Sequence, residues 1–319
     1  MIVTLTANPG LDRTATLAEP LAHGGVNRVT SVTVEPGGKG INVARVIHAA
    51  GHPVRAILPA GHRDPILALL DRIALPYRSV PLPDEVRVNI TLTEQDGTTT
   101  KINEPGPTLS AEAIDQLAHL LVLESEHADW VVLSGSLPPG VPTDWYADLV
   151  RALRPWGCKI AVDTSDAPLL ALVDQFPAAA PDLLKPNSEE LAQLTGADAE
   201  ELEASAKAGD PSKCVAAART LLDRGVRAVM ATLGGSGAVL VTAEGAWHAS
   251  PPPITLRSTV GAGDSSVAGY VLAHTRGASA PDLLRTAVAY GSAAASLAGT
   301  ALPRPDQLNV GGVTIVAVA

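Results

Sequence analysis

The sequence predicts an α/β fold: a mainly parallel sheet covered by helices on both faces, with a small β-sheet lid beside it. Two observations carry this. Short apolar runs recur along the chain with helical patterns between them, as expected where strands and helices alternate. One stretch breaks that rhythm by alternating strictly between apolar and polar residues.

The first apolar run is IVTLTA at 2 to 7, followed by VRAILPA at 54 to 60. WVVLSGS at 130 to 136, KIAVDTS at 159 to 165 and AVMATLG at 228 to 234 continue the series. Helices are expected from about Ile41 to Ala50 with a stop at Gly51, from near Ser110, and from Thr143 towards Pro155. The exceptional stretch is VRVNITLT at 86 to 93, with Val86, Val88, Ile90 and Leu92 on one face and Arg87, Asn89, Thr91 and Thr93 on the other. EQDG then turns the chain into TTTKIN, where Thr99, Lys101 and Asn103 share a face. Together these segments read as an antiparallel hairpin with one apolar and one polar side. VNRVTSVTV at 26 to 34 is β-branched enough to add another strand of this kind. Such an element is placed to act as a lid over a site, and a surface hairpin without that role fits the pattern equally well. No linker, repeat or low-complexity tract interrupts the chain. Residues 1–319 are therefore expected to form one main domain, with lid segments at about 11–35 and 86–104.

Composition narrows the function classes. The chain of 319 residues can bury a sizeable core without disulfides, and Cys158 and Cys214 match neither a redox pair nor a zinc pattern. The start, MIVTLTANPG, lacks the basic and apolar parts of a secretory signal, so a cytoplasmic protein is expected. No apolar run approaches the ~18 residues of a membrane helix, which argues against a membrane partner. A formal net charge of -10 argues against a nucleic-acid partner, whose phosphates are held mainly by Lys and Arg. Any phosphorylated ligand must rely on a local basic cluster.

Two familiar phosphate motifs fail. Around EPGGKGINVAR at 35 to 45, a P-loop requires glycine at position 33 and Ser or Thr after Lys39, where Thr33 and Gly40 stand. GSGAVL from Gly235 and GAGDSS from Gly261 both lack the third glycine of the dinucleotide fingerprint. TVGAGDSSVAGY at 259 to 270 offers another device. Gly261 and Gly263 allow close approach of a ligand to the backbone, and a helix beginning near Ser265 presents free N–H groups as an anion hole. Asp264 at the edge of that hole can accept a proton from an attacking hydroxyl, or can simply cap the helix.

In LLKPNSEELAQL at 183 to 194, Asn187 and Glu190 have capping-box spacing, which serves equally for a hard-cation site. TLGGSGAVLV at 232 to 241 is either a glycine hairpin or a loop bordering a nucleotide. Asp12 and Asn42 stand beside bends and suit hydroxyl groups. Arg28, Lys39, Arg87 and Lys101 bring cations to the lid or its rim, which suits an anionic substrate, while solvated surface charge accounts for any one of them alone.

EPGGKGINVAR, GSLPPGVP at 135 to 142, KPNSEE and TVGAGDSSVAG occur in the order of the signatures of the ribokinase-like carbohydrate kinases of the phosphofructokinase B family, which the whole chain resembles. The resemblance implies a three-layer α/β/α ribokinase-like fold with a β-lid, ATP as phosphoryl donor and Mg2+ as cofactor. Carried over by motif, Asp264 would be the catalytic base and the backbone of Gly261, Ala262 and Gly263 the anion hole. Lys185, Asn187 and Glu190 would serve ATP and its magnesium, with Asn187 and Glu190 as the metal residues. Thr232, Gly234, Gly237 and Ser258 would lie on the nucleotide side. Asp12, Gly38, Lys39 and Asn42 would hold the sugar, while Arg28 and Arg87, assisted by Lys101 and Asn103, would hold its existing phosphate. GGKGINVAR, RVNIT and TKINEPGP are most similar to the branch that phosphorylates fructose 1-phosphate, with the tagatose 6-phosphate branch next. Gly10, Val86 and Ser266 depart from the usual pattern and leave the catalytic inventory intact.

Two other classes stand against this reading. A nicotinamide-dependent dehydrogenase lacks its fingerprint here, whereas a catalytically silent sugar-binding protein on the same fold is compatible with the motifs. The apolar face of the lid has two candidate partners, the body or a second copy of the chain in a homodimer.

Overall fold

Residues Ile2–Leu5, buried on both faces, form the central strand β1 of the computed structural model, which describes residues 1–319. The strands that follow are β2 (Gly10–Leu17), β3 (Val29–Gly37), β4 (Val54–Ala60), β5 (Tyr77–Pro81), β6 (Arg87–Thr93) and β7 (Thr99–Asn103). The second half adds β8 (Trp130–Ser134), β9 (Lys159–Asp163), β10 (Leu183–Leu184), β11 (Ala228–Thr232), β12 (Ala238–Thr242), β13 (Gly245–Ser250) and β14 (Thr314–Val318).

Ten of these strands make one sheet in the order β14-β13-β12-β11-β10-β9-β8-β1-β4-β5. From β5 to β11 every pairing is parallel, and β12 to β14 extend the edge antiparallel. Strands buried on both faces need apolar side chains in both directions, which is why the parallel strands read as near-continuous apolar runs.

The helices are α1 (Lys39–Ala49), α2 (Pro65–Arg72), α3 (Ala111–Ser125), α4 (Trp145–Leu153) and α5 (Asp166–Asp174). They continue with α6 (Ser188–Thr195), α7 (Ala199–Lys207), α8 (Ser212–Asp223), α9 (Ala262–Thr275) and α10 (Ala280–Ala295). Alternate β1 residues feed different cores: Ile2 joins the cluster containing α1, α2, α9 and α10, whereas Val3 and Leu5 join the one containing α3 to α8. These two cores on opposite sheet faces give the expected three layers.

The remaining four strands form a separate sheet in the order β3-β2-β6-β7. Its register aligns Glu35, Asp12, Asn89 and Asn103 across one row, and Thr33, Thr14, Thr91 and Lys101 across the next. These residues share the polar face, and Val34, Ile90 and Ile102 share the opposite one.

Several boundaries differ from expectation. The strand placed at 26 to 34 runs from Val29 to Gly37, and the helix placed from Ile41 starts at Lys39. The helix placed from Thr143 starts at Trp145. The segment near Ser265 is already helical from Ala262, because Gly261 adopts the left-handed conformation (φ 73°) that ends the preceding turn. Asp264 consequently lies inside the first turn of α9 and makes no side-chain cap.

Candidate active site

The carboxyl ends of β1, β8, β9, β10 and β11 open onto the amino end of α9, the location where open parallel sheets place ligands. Ser265 N donates to Gly261 O at 2.8 Å and Ala262 N, which the motif placed in the anion hole, donates to Thr259 O at 3.4 Å, while the Gly263 and Asp264 N–H groups have no acceptor within the chain. Those free donors and the helix dipole make an anion hole. Gly263 leaves room beside it for Lys185, whose Nζ would lie 3.4 Å from a Cβ built there.

Asp264 is 5 % exposed, and its Oδ2 accepts a hydrogen bond from Asn42 Nδ2 at 2.9 Å. Burial, followed by the charge of Asp163, pushes its carboxyl up to about 6, against the opposing pull of Lys39, Asn42 and Lys185. Asp163, the last residue of β9, is 1 % exposed. Its Oδ1 receives Lys39 Nζ at 3.1 Å and Lys185 Nζ at 3.3 Å, and its Oδ2 has no partner. Burial opposes the Asp163 charge, yet Lys185 and Lys39 together hold the carboxyl below the usual carboxylate range. Asp163 in turn raises Lys39 against the cost of burial, aided by Asp264.

A cavity of about 560 Å³, lined among others by Thr232, Gly234, Gly237, Ile254, Gly263 and Ser292, opens beside the anion hole. A short 3-10 turn at Gly234–Ser236 forms one wall, between β11 and β12. Ser258 is not part of the lining; its Oγ accepts from Val260 N at 3.2 Å and shapes the turn leading to Gly261.

Asn187 and Glu190 form the capping box that their spacing suggested. Glu190 N donates to Asn187 Oδ1 at 2.7 Å, and Asn187 N donates to Glu190 Oε2 at 2.9 Å. Burial raises the Glu190 carboxyl, which also feels Lys185, Asp163 and Lys39. Glu190 Oε1 takes no part in the cap. One carboxylate oxygen left outside the cap suits Mg2+, which binds through one or two carboxylates plus substrate phosphates and keeps several waters.

On the small sheet, Asp12 accepts from Asn89 Nδ2 at 3.0 Å. Burial raises the Asp12 carboxyl, with Asn89, Arg87 and Arg45 counteracting. Arg87 pairs in register with Gly10, donates from Nη1 to Glu104 O at 3.3 Å and keeps a buried Nε without a partner. Lys101 and Asn103 are exposed on the edge strand β7, opposite Thr91 and Asn89. Gly38, Lys39 and Asn42 stand at the start of α1, between the two sheets.

Arg28 does not join them. It precedes β3 and is exposed, nine residues before Gly37, or about 30 Å along an extended strand. Of the four cations expected around the sugar, Lys39, Arg87 and Lys101 lie, within one chain, on the small sheet or the adjoining start of α1.

Sequence reasoning passed over three residues. Asp163 ends an apolar strand, and its position at the carboxyl end of a parallel strand was the available signal. Asn89 lies on the polar face already assigned, yet its pairing with Asp12 needed the register. Asn8 donates to Pro105 O at 3.0 Å and Ser136 Oγ at 3.3 Å, tying the chain leaving the small sheet to the GSLPPG turn. Nothing in the sequence pairs those segments.

Comparison with known proteins matches residues 9–307 to the family described as pfkB family carbohydrate kinase. The chain is 36% identical over 313 residues to the 1-phosphofructokinase of Rhodobacter capsulatus, covering 96% of this chain and 94% of that protein. It is 35% identical over 310 residues to the ATP-dependent 6-phosphofructokinase isozyme 2 of Escherichia coli strain K12, covering 96% of each. The crystal structure of Escherichia coli phosphofructokinase-2 in complex with substrates and products superposes with a TM-score of 0.86 at 33% identity, again covering 96% of each chain.

Proposed function

Because the chain belongs to the pfkB family of carbohydrate kinases, we propose that it transfers the γ-phosphoryl of ATP to the free 6-hydroxyl of fructose 1-phosphate, giving fructose 1,6-bisphosphate. The family makes it an ATP-dependent sugar kinase; the acceptor is our assignment. The observation that carries the chemistry is the buried Asp264 carboxylate beside two free backbone N–H groups of α9.

The nucleotide occupies the 560 Å³ cavity, with its terminal phosphate at the amino end of α9. Asp264, with a proton affinity near neutrality, takes the hydroxyl proton as the oxygen attacks, an effect worth ~100-fold to 10,000-fold. The Gly263 and Asp264 N–H groups and the Lys39 and Lys185 ammonium groups offset the charge on the moving phosphoryl. Asp12 and Asn42 orient sugar hydroxyls, and Arg87 takes the phosphate already on the sugar, assisted by Lys101 and Asn103. Glu190, with Asn187 behind it, would hold Mg2+ near the donor phosphates, where the cation neutralises their charge.

Turnover with a panel of fructose 1-phosphate, fructose 6-phosphate, tagatose 6-phosphate and fructose tests the acceptor. The highest kcat/KM is expected with fructose 1-phosphate. Preference for unphosphorylated fructose would sink the role of Arg87. The likeness to the Escherichia coli isozyme supports fructose 6-phosphate as a second reading, with the same bisphosphate as product.

No helix is long and apolar enough to cross a membrane. Cys158 and Cys214 are free thiols, which suits the cytoplasm. On the outer face of the small sheet, Val32, Val34 and Ile102 are exposed by 42%, 37% and 53%. A second copy of the chain in a homodimer is the occupant we assign to that face, testable by sedimentation.

A further inference from the structure

Asp163 is the buried charge that the phosphoryl-transfer scheme leaves without a task. Its carboxylate is 1 % exposed and sits at the end of β9, with both lysines on Oδ1 and no partner on Oδ2. Isolated burial of a carboxylate is costly, and a carboxylate kept only for packing would be fully paired. Lys185 is itself 6 % exposed, so its pair with Asp163 is fully buried, while Lys39, 37 % exposed, reaches the same oxygen from the solvent side. The Lys185 ammonium stands beside Gly263, whose N–H is free, and Lys39 lies close enough to Asp264 for its charge to pull on that carboxyl.

We infer that Asp163 is a positioning residue, whose carboxylate holds Lys39 and Lys185 at the mouth of the anion hole and sets a like charge against Asp264. This rests on the reading of Asp264 as the base. The groups facing Asp264 are Asp163 from β9, Lys39 and Asn42 from α1, and Lys185 from the segment after β10. Of these only Asp163 opposes ionisation of Asp264 by charge, and it does so together with burial. With Asp163 present, Asp264 is a stronger base than an exposed carboxylate, while the two lysines remain charged and aimed at incoming phosphoryl oxygens.

The test is the pH profile of kcat/KM for the sugar phosphate in Asp163→Asn. Removing the like charge lowers the proton affinity of Asp264, so the midpoint of the acid limb should fall by about one pH unit. The plateau should fall about tenfold as the base weakens and the lysines lose their anchor. A merely structural role reduces the active fraction equally at every pH and leaves the midpoint in place, which would overturn the inference.

Should Lys185 without its partner prevent folding, Asp163→Asn combined with Lys185→Met replaces the buried pair by neutral groups, a change that cores often tolerate. Compared with Lys185→Met alone, the double variant should again show the lower midpoint, and equal midpoints would refute the role. Asp264→Asn separates the two levels. If it abolishes turnover while the Asp163 comparison shows no shift, only the positioning role fails. If Asp264→Asn turns over normally, the base assignment fails and the positioning role with it.

Discussion

Replacing Asp264 by Asn should remove activity and raise stability together. In the native state the Asp264 carboxyl titrates at about 6, against 3.8 for an unperturbed aspartate. The folded protein therefore retains a proton that the unfolded chain releases between roughly pH 4 and 6, and stability falls as pH rises through that window. At 1.36 kcal/mol per unit, the full difference above pH 6 is about 3 kcal/mol. The introduced amide carries no charge to desolvate and can still bond Asn42, so Asp264→Asn should recover most of that amount at neutral pH. With an unfolding entropy of about 2.1 cal/mol/K per residue, spread over 319 residues, the gain corresponds to a Tm about 4 °C higher. Below pH 4 the two proteins should converge, because both side chains are then neutral. Turnover should fall ~100-fold to 10,000-fold above pH 6, and the gap should narrow at lower pH as the wild-type base becomes protonated. Thermal melts from pH 4 to 8, paired with an ATP turnover assay, check both halves. A stability difference that stays constant with pH would refute the desolvation account; unimpaired turnover would refute the base.

Three further outcomes are expected. Glu190→Gln preserves capping-box chemistry but removes the charge, so stability should hold while half-saturation by Mg2+ rises about tenfold; an unchanged Mg2+ requirement would leave Glu190 as a cap only. Arg87→Ala removes a charge-assisted phosphate contact worth about 1.5–3 kcal/mol, which should raise KM for the sugar phosphate roughly 10-fold to 100-fold with KM for ATP unchanged. Asn42→Ala deletes a hydrogen bond that favours the Asp264 anion, so the acid limb of kcat/KM should move to higher pH, and a limb that moves down would contradict the assigned geometry.

Much of the frame was legible in the chain because strand burial imposes a local rule. IVTLTA, WVVLSGS and AVMATLG had to be apolar to sit between two helical layers, and VRVNITLT had to alternate because only one side of its sheet is apolar. Boundaries slipped where a conformation, rather than a pattern, decides them. Gly261 in the left-handed region starts α9 three residues earlier than Ser265, moving Asp264 from a helix edge into its first turn. Asn187 and Glu190 show the converse case, since N-x-x-E prescribes a capping box through local contacts alone, and that box is present.

Motifs alone determined which residues were candidates. Asp264, Asn42, Lys39 and Lys185 are each recognisable within a few neighbours, and so was the glycine device for holding anions. Only the tertiary structure decided how they act on one another. Asn42 and Asp264 are 222 positions apart, and Lys39 and Asp163 are 124 apart, so neither contact leaves any trace in local spacing. The same long-range packing left Arg28 away from the site within one chain and admitted Asp163. Electrostatics explains the division: side-chain type is written in the chain, whereas a carboxylate's proton affinity depends on water excluded and charges approached after folding.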